Sequence, residues 1–227
     1  MKKLVSAVAA SAALASGIAM ASPVQNNHQA FVSVFGGIDT TSTWSDINNQ
    51  MKAVDADYRF NNIHPWVLGI ATGYNLWQVS PTLNVGAEVG FNFAPSATKL
   101  SLGDGQNSVS LSARHTAINP MLFVNYTPIQ KLTLTGKAGM GYQSYRYTTE
   151  LHVSSNSGSF SINRDEWKPV LAAEVAYNLS NRYALLVGDQ YTFGGSVKIE
   201  DAVDDVVSHW NGVPSSNLVY VGAKVNF

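Results

Sequence analysis

Apolar and polar residues alternate with a period of two over most of this chain. That is the repeat of an extended strand with one greasy and one wet face. Between Leu83 and Phe93, the residues Leu83, Val85, Ala87, Val89, Phe91 and Phe93 oppose Asn84, Gly86, Glu88, Gly90 and Asn92. Trp66, Leu68, Ile70, Thr72, Tyr74 and Leu76 likewise alternate with Val67, Gly69, Ala71, Gly73 and Asn75. At the C-terminal end Val219, Val221, Ala223, Val225 and Phe227 form one face, and Lys224 and Asn226 lie on the other.

Eight such segments are legible, at 29–38, 65–77, 83–94, 114–126, 131–147, 167–179, 183–194 and 218–227. Short turns at 79–81, 127–130 and 180–181 alternate with polar loops at 39–64, 95–113, 148–166 and 195–215. The pattern predicts an all-β fold, an eight-stranded antiparallel up-and-down transmembrane β-barrel. Short turns on one side and long loops on the other are the asymmetry of such barrels. Segments of nine residues or more suffice to cross a bilayer at about 45° tilt. An even strand count returns both termini to one side, the periplasmic one.

The aromatics sort to strand ends. Tyr74, Tyr126, Tyr177, Tyr183 and Phe227 fall at the turn side, with Trp66, Phe91, Phe93, Tyr142, Trp167, Tyr191 and Phe193 at the loop side. Two aromatic rings match the two membrane interfaces. Composition agrees: charged residues are 13 % of the chain, about half the roughly 25 % usual for soluble domains. The chief alternative fold is a soluble lipocalin-like barrel, which would carry its apolar face inward.

The N-terminus adds a compartment. Met1-Lys2-Lys3 is basic, Leu4 to Ile18 is apolar, and Ala19-Met20-Ala21 forms a small-x-small site before Ser22. Residues 1–21 are therefore expected to be a secretory signal peptide, cleaved between Ala21 and Ser22. Residues 22–227 then form a single barrel domain. Losing Lys2 and Lys3 moves the formal charge from −1 to −3, and no basic patch suits a nucleic acid. The absence of cysteine excludes disulfides and thiolate metal sites.

The strand endings Gly73-Tyr74-Asn75-Leu76 and Ala176-Tyr177-Asn178-Leu179, the eight-strand pattern and the signal segment resemble small outer-membrane barrels. The likeness is to the OmpA-like transmembrane domain and the opacity-type surface proteins. The C-terminus resembles that family's assembly signal at Gly222, Val225 and Phe227, with Val225 departing from the usual aromatic. The resemblance implies a monomer in the cell outer membrane of a Gram-negative bacterium, amid outer-membrane lipid and lipopolysaccharide and inserted by the barrel-assembly machinery. It implies no cofactor. The peptidoglycan-binding domain that some relatives carry after the barrel has no counterpart in this sequence, so wall anchoring is not implied. Envelope structure and display of four loops, for adhesion to a host surface or matrix, is the function expected. The main alternative is a narrow, porin-like channel for small solutes gated by interior charges, and a lipid-modifying enzyme stands third.

Alternation directs Glu88, Lys137, Glu174 and Lys224 to the wet, interior face. On the lipid face a Lys would cost roughly 2–4 kcal/mol at mid-membrane. Two acids and two bases in a narrow lumen predict a neutralised network plugging the interior. Asp189 breaks the rule by sharing the parity of Leu185, Val187 and Tyr191. Either a bulge near Gly188 re-aims it, the preferred reading, or it stands above the lipid band. Glu88 with Glu174 as an acid/base pair is a weak signal where lysines are equally at hand. The five histidines show no metal-ligand spacing, and no serine sits in Gly-x-Ser-x-Gly. No catalytic or metal site is therefore expected. The acidic stretch Glu200, Asp201, Asp204, Asp205 reads as a solvated loop.

Overall fold

The computed structural model describes residues 29–40, 59–61, 66–103, 107–153, 156–194 and 215–227. Outside them lie the signal segment with Ala19, Ala21 and Ser22, the acidic stretch from Glu200 to Asp205, and His28, His64 and His209. The described chain is strands and turns: β1 (Ala30–Asp39), β2 (Arg59–Asn61), β3 (Trp66–Ser80), β4 (Leu83–Gly103), β5 (Asn107–Ile129), β6 (Leu132–Val153), β7 (Asn156–Asn178), β8 (Tyr183–Thr192) and β9 (Ser216–Asn226). Eight of them, all but β2, close a ring in which each strand pairs antiparallel with its neighbours. The seam joins β1 to β9 from Phe31 opposite Asn226 up to Asp39 opposite Leu218. Both described ends of the chain therefore lie at one rim, where the Phe227 N–H donates to the Ala30 carbonyl at 2.9 Å.

The faces are inverted relative to a water-soluble barrel. Leu122 is 63 % exposed and Val221 61 %, whereas Glu88 is 4 % and Lys137 7 % exposed. A continuous apolar belt around the whole outer wall is incompatible with water and suited to lipid. The lipocalin-like alternative fails on this point. The outward aromatics separate as the strand ends suggest: Tyr126, Tyr177, Tyr183 and Phe227 at the turn rim, Trp66, Trp167, Tyr191 and Phe193 towards the other.

Two of the expected loops are largely strand. β4 and β5 remain paired up to Gly103 opposite Ser108, and β6 and β7 up to Val153 opposite Asn156. These four strands have 21–23 residues, about twice the 9–11 that crossing a bilayer requires. They rise past the outward aromatics as two tall hairpins. In the second hairpin, residues 157–161 of β7 are exposed on both faces, and a ribbon exposed in that way needs no apolar period. Its backbone bonds and cross-strand pairs hold it instead. Within the first long loop, β2 adds to the upper edge of β4, Phe60 opposite Leu100.

Inside, glycines make room for large rings. A Cβ at Gly86 would collide with the Phe123 ring and the Tyr74 carbonyl. The Phe31 and Phe123 rings meet edge to face, with centroids 5.6 Å apart.

Candidate functional site

Four strands each deliver one charge to mid-lumen: Glu88 from β4, Lys137 from β6, Glu174 from β7 and Lys224 from β9. Their separation in sequence is large, so only ring closure assembles them. The Lys137 ammonium donates to both Glu88 oxygens at 2.9 and 3.0 Å and to Glu174 Oε2 at 3.0 Å. Glu174 Oε1 accepts from Lys224 at 3.0 Å, and the Tyr220 hydroxyl adds a longer contact to Oε2 at 3.4 Å. Lys224 also stands 4.6 Å over the Phe31 ring, a cation–π geometry. No side chain of the four is more than 9 % exposed.

The chemistry follows from this satisfaction. Lys137 spends its three protons on carboxylate oxygens, and Glu174 divides its two oxygens between two ammonium groups. Charges removed from water are tolerable only when paired and hydrogen-bonded in this way. Acid/base work by Glu88 and Glu174 would need a carboxylate able to meet a substrate, and Lys137 occupies the space between them.

Above and below lie neutral polar layers. Towards the turn rim, Asn125 accepts from Thr135 at 2.7 Å and donates to Asn75 at 3.3 Å. A vestibule of about 260 Å³, lined by these asparagines, Thr133 and Asn178, ends at Lys224 and Phe31. Towards the hairpins, His115 Nε2 pairs with Gln143 Oε1 at 2.7 Å, and Gln143 donates to Asn119 at 3.1 Å. The His115 ring stacks on Tyr145 with centroids 4.2 Å apart, and Tyr145 on Tyr147 at 6.0 Å. Sequence reading passes over this upper layer. Parity is the available signal, since His115 and Asn119 share the inward register of Ala117 and Met121 on β5. At the seam, buried Asp39 accepts from the Ser216 hydroxyl at 2.7 Å. Among the described residues no group of three His, Asp or Glu side chains is placed to hold a metal ion.

Asp189 has no bulge to turn it. β8 alternates without interruption, and Gly188 and Asp189 face Glu174 and Ala173 in unbroken register. The preference for a re-aimed side chain is thus corrected. Asp189 points outward between Val187 and Tyr191, because paired strands on both sides hold the pleat. A lipid-facing carboxylate costs less than the roughly 2–4 kcal/mol of a mid-membrane Arg or Lys, and still opposes folding. Asp189→Leu is therefore expected to stabilise the barrel, raising the urea midpoint of refolded protein in lipid vesicles. A lowered midpoint would show that the carboxylate has a partner in the membrane.

Residues 8–227 match the family model described as the outer membrane protein beta-barrel domain. The chain belongs to that family. No curated protein matches the sequence. Among solved structures, a major outer membrane protein from Thermus thermophilus is similar over 89 % of this chain and 100 % of its own, at 15 % identity and TM-score 0.51. The attachment invasion locus protein Ail of Yersinia pestis covers 88 % and 98 % respectively, at 9 % identity and TM-score 0.43. The outer membrane protease OmpT of Escherichia coli covers 92 % and 99 %, at 9 % identity and TM-score 0.47. At such identities the likeness is one of fold.

Proposed function

We propose that this outer-membrane barrel is non-catalytic, that its lumen is closed, and that its work is done by the surface it raises above the membrane. The observation that carries the reading is the charge layer itself. Two acids and two bases, all paired and buried, fill mid-lumen together with Phe31, Phe123 and Tyr220. On this reading both termini are periplasmic and the β4–β5 and β6–β7 hairpins stand outside the cell, where a host surface or matrix would meet them. Residues 1–21 serve as the signal peptide of a mature domain spanning 22–227. Gly222, Val225 and Phe227 serve as the assembly signal for the insertion machinery.

The polar vestibule that reaches Lys224 favours the channel as second reading, and one measurement decides between them. In planar bilayers the purified barrel is expected to give no steady conductance, and liposomes carrying it to swell no faster than empty ones. A steady open state would overturn the closed-lumen reading. Orientation has its own test, helped by a chain without native cysteine. Ser159→Cys, exposed on β7 near the hairpin tip, should react with an impermeant maleimide on intact cells. Labelling only after the outer membrane is opened would reverse the orientation.

A further inference from the structure

Two arginines face outward side by side above the aromatic belt. Arg114 on β5 and Arg146 on β6 are direct cross-strand partners, and both are exposed. Each lies between inward residues, Arg114 between Ala113 and His115, Arg146 between Tyr145 and Tyr147. Their side chains therefore leave the wall on its outer side. Like charges directly opposed on a strand pair are destabilising. Among the described residues neither arginine has a carboxylate partner: the ion pairs are those of the charge layer and Lys168 with Glu166. Asp165, the outward carboxylate opposite Ser144 on the neighbouring strand, is in none of these ion pairs.

Their height is set by the belt. Tyr142 and Trp167 are adjacent, with ring centroids 5.5 Å apart, and Tyr142 is opposite Ile118. Arg146 is four residues beyond Tyr142 and Arg114 four beyond Ile118. At about 3.3 Å per residue and a tilt of about 40°, that is roughly 10 Å above the aromatic row. Interfacial aromatics sit at headgroup level, and arginine stems are long enough to carry the two guanidinium groups back down towards it. Thr116 and Ser144 lie below them and Asn163 opposite Arg146 on β7, with the outward Asp165 on the diagonal, opposite Ser144. Guanidinium forks match phosphate oxygens in pairs. One phosphate between two forks would remove their mutual repulsion.

We infer that Arg114 and Arg146 form a binding site on the outer wall for the phosphorylated headgroup of an outer-leaflet lipid. The acyl chains of that lipid would lie on the apolar belt below, so one molecule spans both surfaces. The assignment to the outer leaflet rests on the orientation proposed above.

The test uses the mature barrel purified in detergent, with native mass spectrometry as readout and four probes: bisphosphorylated lipid A, the same lipid dephosphorylated, phosphatidylglycerol and inorganic phosphate. The wild-type barrel should bind lipid A, phosphatidylglycerol or both at least tenfold more tightly than the dephosphorylated lipid. R114Q/R146Q should lose that preference while keeping its heat-modifiable gel mobility, and R114K/R146K should retain part of it. Which phosphorylated lipid binds more tightly identifies the natural source. Equal binding by wild type and R114Q/R146Q overturns the site. So does inorganic phosphate binding as tightly as either lipid, which would reduce it to a simple anion site. Binding in detergent is independent of orientation, so a reversed Ser159→Cys result would move the site to the other leaflet without touching the phosphate chemistry.

Discussion

Lys137→Met is expected to destabilise the barrel by about 3–5 kcal/mol, the range for breaking a buried ion pair from one side. Among the described residues, Lys137 is the cation that meets both carboxylates in the lumen. Without it Glu88 loses both ammonium bonds, at 2.9 and 3.0 Å, and Glu174 keeps Lys224 and the longer Tyr220 contact. Glu88 is then an uncompensated carboxylate that is 4 % exposed. Urea titration of the refolded barrel, followed by tryptophan fluorescence, reads the loss. Lys224→Met should cost markedly less, because Glu174 retains its bond to Lys137. The double change Glu88→Leu with Lys137→Met should recover most of the stability, since apolar replacement of a buried pair is often neutral or better. If Lys137→Met costs under about 1 kcal/mol, water reaches the layer and the lumen is not closed.

That layer is legible in sequence because parity in a half-buried strand is binary. Once the lipid face of each segment is known, Glu88, Lys137, Glu174 and Lys224 have only the interior left. What parity cannot supply is partner choice. Whether Lys137 meets Glu88, Glu174 or both depends on ring closure and stagger, which bring β4, β6, β7 and β9 to one height. The hairpins are harder to read for a related reason. Leu100 and Leu102, like Val109 and Leu111, do alternate with serine or lysine, but Pro95, Gly103 and the polar composition speak for a loop. The strand signal in sequence is burial of one face, and along residues 157–161 of the second hairpin neither face is buried. Asp189 shows the opposite limit. A local exception to the pattern invites a local remedy such as a bulge, yet strand pairing on both sides outweighs one carboxylate facing lipid.

Gly222→Val is expected to prevent closure altogether. Gly222 lies on β9 opposite Phe35 of β1, at the seam where the two ends of the chain meet. A Cβ there would collide with the Val34 carbonyl oxygen and lie 2.7 Å from Phe35 Cβ and 2.9 Å from Phe35 Cα. These are backbone atoms and a Cβ fixed to the backbone, so no rotamer change relieves the overlap. The cost exceeds the roughly 1–3 kcal/mol of ordinary overpacking, because the seam must open and expose unpaired strand edges to lipid. The folded, fast-migrating band on an unheated gel should disappear. Gly136→Val is the matched control: no atom lies within 4 Å of its Cβ position, so that variant should fold. Gly222 also stands in the proposed assembly signal, and Phe227 separates the two roles. Phe227 is 55 % exposed on the outer wall, and its loss costs the seam one terminal hydrogen bond, that to the Ala30 carbonyl. Deleting Phe227 should leave detergent refolding nearly intact while lowering outer-membrane levels in cells. Gly222→Val should fail in both settings. If instead Gly222→Val refolds in detergent and fails only in cells, the glycine is read by the insertion machinery and the seam tolerates a side chain.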